Sequence, residues 1–246
     1  MKRYLMTIEY VGTNYEGFQL QKGKTLKTVQ GQVENAMEQV FLQKVKVFAS
    51  GRLDAGVHAK ELKAHFDLKT NIMPERMITG INHFLPNDIA VQEISEVNNN
   101  FHARYDVKQK TYEYKLYIGK YKHPLLEDRQ MYLYEMPDIE KMQKAGKLFL
   151  GTHDFKAFMN KSSKVKTTIR TINSLNIKEE YNEITITVCG NGFLYNMVRI
   201  MVGTLLEVGY NNMKLDEITS MLTTGIRKRA YKIVEAKGLT LLKVEY

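Results

Sequence analysis

The sequence has no tryptophan, one cysteine and four prolines in 246 residues. One thiol, Cys189, cannot close an internal disulfide, and no Cys/His cluster has zinc-ligand spacing. A reducing cytoplasm is the expected compartment. No run of about 18 uncharged apolar residues exists, so no transmembrane helix and no membrane partner are expected. Met1-Lys2-Arg3 is basic, but the apolar stretch after it is short and broken by Glu9, which reads as a strand and not a signal peptide. There is no P-loop and no GxGxxG motif, so no nucleotide cofactor site is read. His58 and His65 are seven apart, with His102 beyond, and lack the close carboxylates or thiols that a metal site wants. Around Asp54 there is only one acid, which argues against a two-metal nuclease.

What is present is an ordinary globular composition with a basic bias. Hydrophobic residues make up 43% and charged residues 26%, enough to bury a core as one large domain or two small ones. The formal charge of +9 suits a polyanion-binding surface, because each Lys or Arg that meets a phosphate releases a condensed counterion.

Hydrophobic periodicity predicts a strand over 4–10. It then predicts a helix capped by Thr28, with Val29, Val33, Ala36, Met37, Val40 and Phe41 on one face. Strands are expected over 45–48, 61–68 and 89–94, with a helix from Pro74 to Phe84 between the last two. The pattern restarts after Asn98-Asn99-Asn100. A tyrosine-rich strand is expected over 111–118 and a helix from Asp138 to about Leu150. An alternating strand covers 184–189, followed by helices over 193–208 and 215–222 and a last strand over 239–244. Strands and helices mix in both halves, so the class is α+β, with two related subdomains, 1–105 and 106–246.

Residues 51–58 read Gly51-Arg52-Leu53-Asp54-Ala55-Gly56-Val57-His58. Two glycines bracket one carboxylate, with an arginine two residues before it and a histidine four after. An Asp in such a place makes an Asx-turn or caps a helix; alternatively it is a carboxylate held ready as nucleophile or base. Arg199 lies in a run of apolar residues, Phe193 to Val202. A guanidinium there either snorkels to the surface or needs a partner. Asp54 and Arg199 could be each other's partners. Aromatic and basic residues interleave at Phe101-His102-Ala103-Arg104-Tyr105 and over 108–115, where Tyr112 and Tyr114 would share a strand face beside Lys110. Such mixtures suit unstacked bases and phosphates, or simply a sheet packed on a helix. Further basic groups (Lys156, Lys161, Lys164, Lys166 and Arg170, then Arg227, Lys228, Arg229, Lys232 and Lys237) look exposed.

The Gly51–His58 motif resembles the catalytic motif of the tRNA pseudouridine synthase A family. Glu9-Tyr10-Val11-Gly12, the stretch from Asn82 to Val91, Phe101-His102-Ala103-Arg104, Gly151-Thr152-His153-Asp154-Phe155 and Gly192 to Gly209 are similar to further landmarks of that family, in the same order. The resemblance implies a pseudouridine synthase fold: two ferredoxin-like α/β subdomains whose antiparallel sheets meet around a central basic active-site cleft. It implies isomerisation of uridine to pseudouridine in the anticodon stem and loop of tRNA (tRNA positions 38 to 40), without a cofactor, by a homodimer. By position, Asp54 would be the catalytic aspartate and Arg199 the arginine that keeps it anionic. Tyr112 would pack against the target base. Arg52 would displace the base from its stack, with His58 also beside the substrate. Arg104, Lys110, Lys164 and Arg170 are the candidate RNA contacts. The family usually has threonine at Leu53, tryptophan at Phe18, and a Gly- and Pro-containing segment where this chain has residues 230–237. These departures leave room for a paralogue with the same chemistry on another structured RNA, such as ribosomal RNA. A non-catalytic RNA-binding protein is the contrasting reading.

Overall fold

The computed structural model describes residues 1–21, 27–160, 165–227 and 233–246. The chain divides into two compact units, Met1–Lys108 with Thr240–Tyr246, and Gln109–Leu239.

In the first unit, β1 (Lys2–Tyr10) is the central strand. It runs antiparallel to β3 (His58–Leu68) on one side, with Lys2 opposite Leu68 and Tyr10 opposite Ala59, and to β4 (Ile89–Val97) on the other. The short β2 (Phe48–Ala49) adds outside β3, Phe48 facing His65. The chain order is therefore βαββαβ and the sheet order β4-β1-β3-β2, the ferredoxin-like split βαβ arrangement. Between the strands lie α1 (Val29–Phe41) and α2 (Pro74–Phe84). The Thr28 hydroxyl caps α1 by accepting from the Gly31 N–H at 3.3 Å. Val29, Val33, Ala36 and Met37 of α1 are fully buried, whereas Val40 and Phe41, read as part of the same face, are half-buried. Pro74 opens α2 where its missing N–H costs nothing. Met6, Ile8, Leu62 and Phe66 complete this core from the sheet. The last strand of the chain, β10 (Leu239–Glu245), runs parallel to β3 with Thr240 opposite His58 and Leu241 opposite Ala59. Although it follows the second half in sequence, it belongs to the first unit from Thr240 onward.

The second unit runs strand–strand–helix–strand–strand–strand–helix–helix. Its strands are β5 (Gln109–Ile118), β6 (Met131–Leu133), β7 (Gly151–Asp154), β8 (Ile169–Glu180) and β9 (Glu183–Gly190). They lie in the order β6-β5-β9-β8-β7, antiparallel except for the β5–β6 pair. Helices α3 (Ile139–Lys147), α4 (Met197–Gly209) and α5 (Leu215–Thr224) complete it. Phe149, Phe155 and Phe158 form a fully buried cluster, the Phe149 and Phe158 rings edge-on at 5.1 Å.

Three sequence expectations need correction. The helix from Asp138 stops at Lys147, not Leu150: Leu148, Phe149 and Leu150 each donate to a carbonyl three residues back, a tighter turn. The helix expected from Phe193 begins at Met197, because Asn196 is left-handed (φ 61°). The strand β8 escaped the sequence reading. Ile172 and Ile177 are both buried although five apart, which strict alternation forbids. A register shift between Ile172 and Ser174 inserts the extra residue that turns both inward.

Among the described residues, no helix is long and apolar enough to cross a membrane, and no group of three or more His, Cys, Asp or Glu side chains could hold a metal ion.

Candidate active site

Asp54 is half-buried in the loop that leads into β3. Its own carbonyl accepts from the Val57 N–H at 3.2 Å, closing a four-residue turn. Gly56 occupies the third position at φ 77°, the value that a type II turn reserves for glycine. Of the two glycines that bracket the carboxylate, this one has the conformational reason.

The turn is fastened from outside by the segment after β1. The Gly56 N–H donates to the Tyr15 carbonyl at 3.3 Å, and the Phe18 N–H donates to the Leu53 carbonyl at 3.0 Å. Gln19 Nε2 reaches the Gly51 carbonyl at 3.3 Å. Gly12 lies so close to the loop that a Cβ there would sit 2.1 Å from the Val57 carbonyl oxygen. The Gly12–Tyr15 segment is itself tied to Asp88, just before β4. The Asp88 carboxylate accepts from the Tyr15 hydroxyl in a very short hydrogen bond and from Asn14 Nδ2 at 3.1 Å. The Asp88 carbonyl accepts from the Val11 N–H at 2.9 Å. Burial, and then the Asp88 carboxylate, push the Tyr15 hydroxyl far above its ordinary pKa, so it remains a proton donor.

His58 is not open to the surface. It is 2% exposed, and its Nδ1 accepts from the Gly12 N–H at 3.0 Å. That role requires the tautomer with its proton on Nε2. The ring read as a substrate contact therefore joins the Asp54 loop to the segment after β1. Arg52, by contrast, is exposed. Of the departures from the family pattern, two are core: Phe18 is fully buried against Tyr10 at 6.4 Å, and Leu53 is 7% exposed; the third, over 230–237, lies partly outside the described residues.

In the second unit, Tyr112 is 7% exposed on β5 and meets Phe193 edge-on at 5.0 Å. Arg199 is half-buried on α4, between helix neighbours that are almost all buried. Its Nε donates to the Val234 carbonyl at 2.8 Å and its Nη1 to Asn196 Oδ1 at 3.1 Å. The next carbonyl, that of Glu235, accepts from the buried Tyr114 hydroxyl at 2.8 Å. Consecutive backbone carbonyls thus hold the Arg199 guanidinium and the Tyr114 ring. Gly238 allows this approach, since a Cβ there would lie 2.6 Å from the Tyr114 ring.

Of the expected RNA contacts, Arg104 is exposed and Lys110 half-exposed on β5. Arg170 Nη1 donates to the Thr167 and Ile169 carbonyls at 3.0 and 2.6 Å. Lys164 lies outside the described residues. The Asp88–Tyr15 support carries no hydrophobic period or motif by which the sequence would show it.

The tRNA pseudouridine synthase family profile matches residues 6–106 and 145–246. This chain belongs to that family. It is 42% identical to a tRNA pseudouridine synthase A of Acetivibrio thermocellus over 246 residues, covering all of both chains. It is also 42% identical to a tRNA pseudouridine synthase A 2 of Clostridium perfringens over 247 residues, again covering all of both. A chain in the crystal structure of a Cbf5-Nop10-Gar1 complex matches 82% of this one over 45% of its own length, at 12% identity and a TM-score of 0.40, a likeness too loose to bear on the site. Members of the family are isomerases.

Proposed function

We propose that this protein converts uridine to pseudouridine in the anticodon stem and loop of tRNA, with Asp54 as the reacting carboxylate. The observation that carries the reading is the Asp54 turn, a half-buried carboxylate fastened at Leu53 and Gly56 by backbone hydrogen bonds in a member of the pseudouridine synthase family. A catalytic group held in one geometry avoids the entropy of positioning it during the reaction.

The reaction breaks the N1–C1′ bond, turns the uracil and forms a C5–C1′ bond. The proton lost from C5 is balanced by one gained at N1, so no co-reactant is consumed. The target base must leave its stack to reach a carboxylate on a protein loop. Exposed Arg52, two residues before Asp54, takes the flanking phosphate. Tyr112 and Arg199, placed by the family resemblance in the same chemistry, pack against the base and support the carboxylate. The net charge of +9 supports RNA as the partner. Relatives named tRNA pseudouridine synthase A, matched over their full length, support tRNA in particular. A tRNA substrate fits the cytoplasmic compartment expected from the lone cysteine, and the resemblance implies a homodimer.

The test is pseudouridine mapping of tRNA and ribosomal RNA incubated with the wild type and with Asp54→Asn. We expect pseudouridine in the anticodon arm of tRNA and a loss of about 10³-fold or more in the variant, the scale for removal of a reacting group, with tRNA affinity within about twofold. Full activity in Asp54→Asn would exclude the assignment, and modification confined to ribosomal RNA would move the substrate.

A further inference from the structure

At the opposite end of β3 from the Asp54 loop, the first unit exposes a group of rings and cations that the reaction does not use. Residues 44–48 alternate strictly. Val45 and Val47 are buried while Lys44, Lys46 and Phe48 point outward. Phe48, 47% exposed, stacks on the buried His65 at 5.0 Å with the rings 18° apart. His65 Nδ1 accepts from the Ala103 N–H at 3.2 Å, fastening residues 101–106 beside it. The His102 ring lies 4.7 Å from His65 and 4.2 Å from Tyr105. Tyr105 is 74% exposed, and the Arg104 guanidinium lies 5.9 Å from its ring centre. The one carboxylate of this loop, Asp106, accepts from the His102 N–H at 2.8 Å. No salt bridge among the described residues involves Lys44, Lys46 or Arg104.

We propose that this face, Lys44, Lys46, Phe48, His102, Arg104 and Tyr105, is a second RNA-contact surface. Unpaired bases stack on its rings while its cations meet the adjoining phosphates. Open aromatic faces interleaved with uncompensated cations are what a single strand of nucleic acid uses; a protein partner would want contiguous apolar area, and here Val45 and Val47 point inward, leaving Phe48 as the outward apolar residue of 44–48. His65 lies seven residues beyond His58, which at the rise of a strand is about 23 Å. The occupant is therefore not the reacting uridine but another stretch of the same RNA. The proposal rests on RNA being the substrate, and it adds a footprint that sets affinity rather than turnover.

The chain has no tryptophan, so Tyr105→Trp introduces its one indole. We expect saturable, salt-sensitive quenching of that indole by full-length tRNA. Phe48→Trp repeats the measurement from the other side of the group. Tyr181→Trp, on a 90% exposed hairpin among Glu179, Glu180 and Glu183, should show none. The double variant Lys44→Ala/Lys46→Ala should bind tRNA roughly tenfold more weakly with kcat at saturating tRNA unchanged. Pseudouridine is counted in the same samples. If tRNA binds and is modified while neither indole responds and the double variant binds normally, the surface is wrong and the enzymatic reading stands. If the indoles respond but no pseudouridine forms, the enzymatic reading is wrong and the surface stands. Absence of any tRNA binding, or quenching by proteins but not by RNA, overturns the surface.

Discussion

His58 carries the sharpest residue-scale argument. Its ring is the acceptor for the Gly12 N–H, so His58→Ala leaves a buried donor without that partner, at a cost of about 1–3 kcal/mol, and loosens the Asp54 loop. We expect kcat to fall at least about tenfold while tRNA affinity changes little, as for an interaction that matters in the transition state. His58→Asn, whose side-chain oxygen can stand near the Nδ1 position, should recover part of the rate. A loss confined to KM would instead return His58 to the substrate. His65 differs. Burial, helped by Arg3, lowers its pKa to about 4, below the ordinary value of about 6.5. The unfolded chain then binds the proton more readily than the folded one between those values. Stability is therefore full above about pH 6.5 and is lost as the pH falls towards 4. Thermal melts across that window should show the fall, and His65→Asn should flatten it. Nothing in the residue pattern separates these two histidines. Asp54 stands out in the sequence only through the family resemblance of its motif; the burial of a histidine depends on strands and loops that lie 46 and 38 residues away.

At the scale of elements, the strands and helices with clean periodicity were legible, and those with a local irregularity were not. The α1 face, the Pro74 start of α2 and the alternation of β9 follow from spacing alone. The β8 strand did not, because its bulge changes the period. The start of α4 did not, because a left-handed asparagine is invisible to hydrophobic pattern. The same limit hid the support of Arg199. Its apolar surroundings leave the guanidinium either to snorkel or to find a partner, and the Val234 carbonyl that accepts from it belongs to an irregular segment with no pattern of its own. Gly238 is where that segment can be tested. A Cβ at 2.6 Å from the Tyr114 ring cannot be accommodated in place, so Gly238→Ala must displace either the ring or the segment that carries the Val234 and Glu235 carbonyls. We expect a loss of roughly 1–3 kcal/mol in stability, typical of overpacking. Turnover should fall by more than that loss explains at temperatures where the protein is fully folded. Normal kcat with a lowered melting temperature would show that this support is structural only.

At the scale of the whole molecule, the chain leaves the first unit at Lys108 and comes back to it at Thr240. Reading the sequence from one end to the other assigned the final strand to the second half, since nothing in its own residues says which strand it will join. Its parallel pairing begins at His58 and Ala59 of β3, directly after the Asp54 turn, and Leu241 and Val244 are buried. At its end the Tyr246 hydroxyl donates to the Ala103 carbonyl at 2.8 Å, and its ring meets Phe101 at 4.7 Å. The last seven residues therefore hold both ends of β3 in place, the Asp54 turn at one and the 101–106 loop at the other. Burial of side chains the size of Leu241 and Val244 contributes about 2 kcal/mol each, a large part of the margin of a small unit. Deleting residues 240–246 should raise amide exchange across β3, the Asp54 turn and residues 101–106, and should abolish pseudouridine formation. Protection in α3, β7 and β8, which pair or pack within the second unit, should persist. If exchange rises equally in those elements, the two units unfold together and the returning strand is a clamp on the whole chain; if it rises in neither, β10 is dispensable to the turn and the loss of activity must come from Leu241, Val244 or Tyr246 acting in some other way.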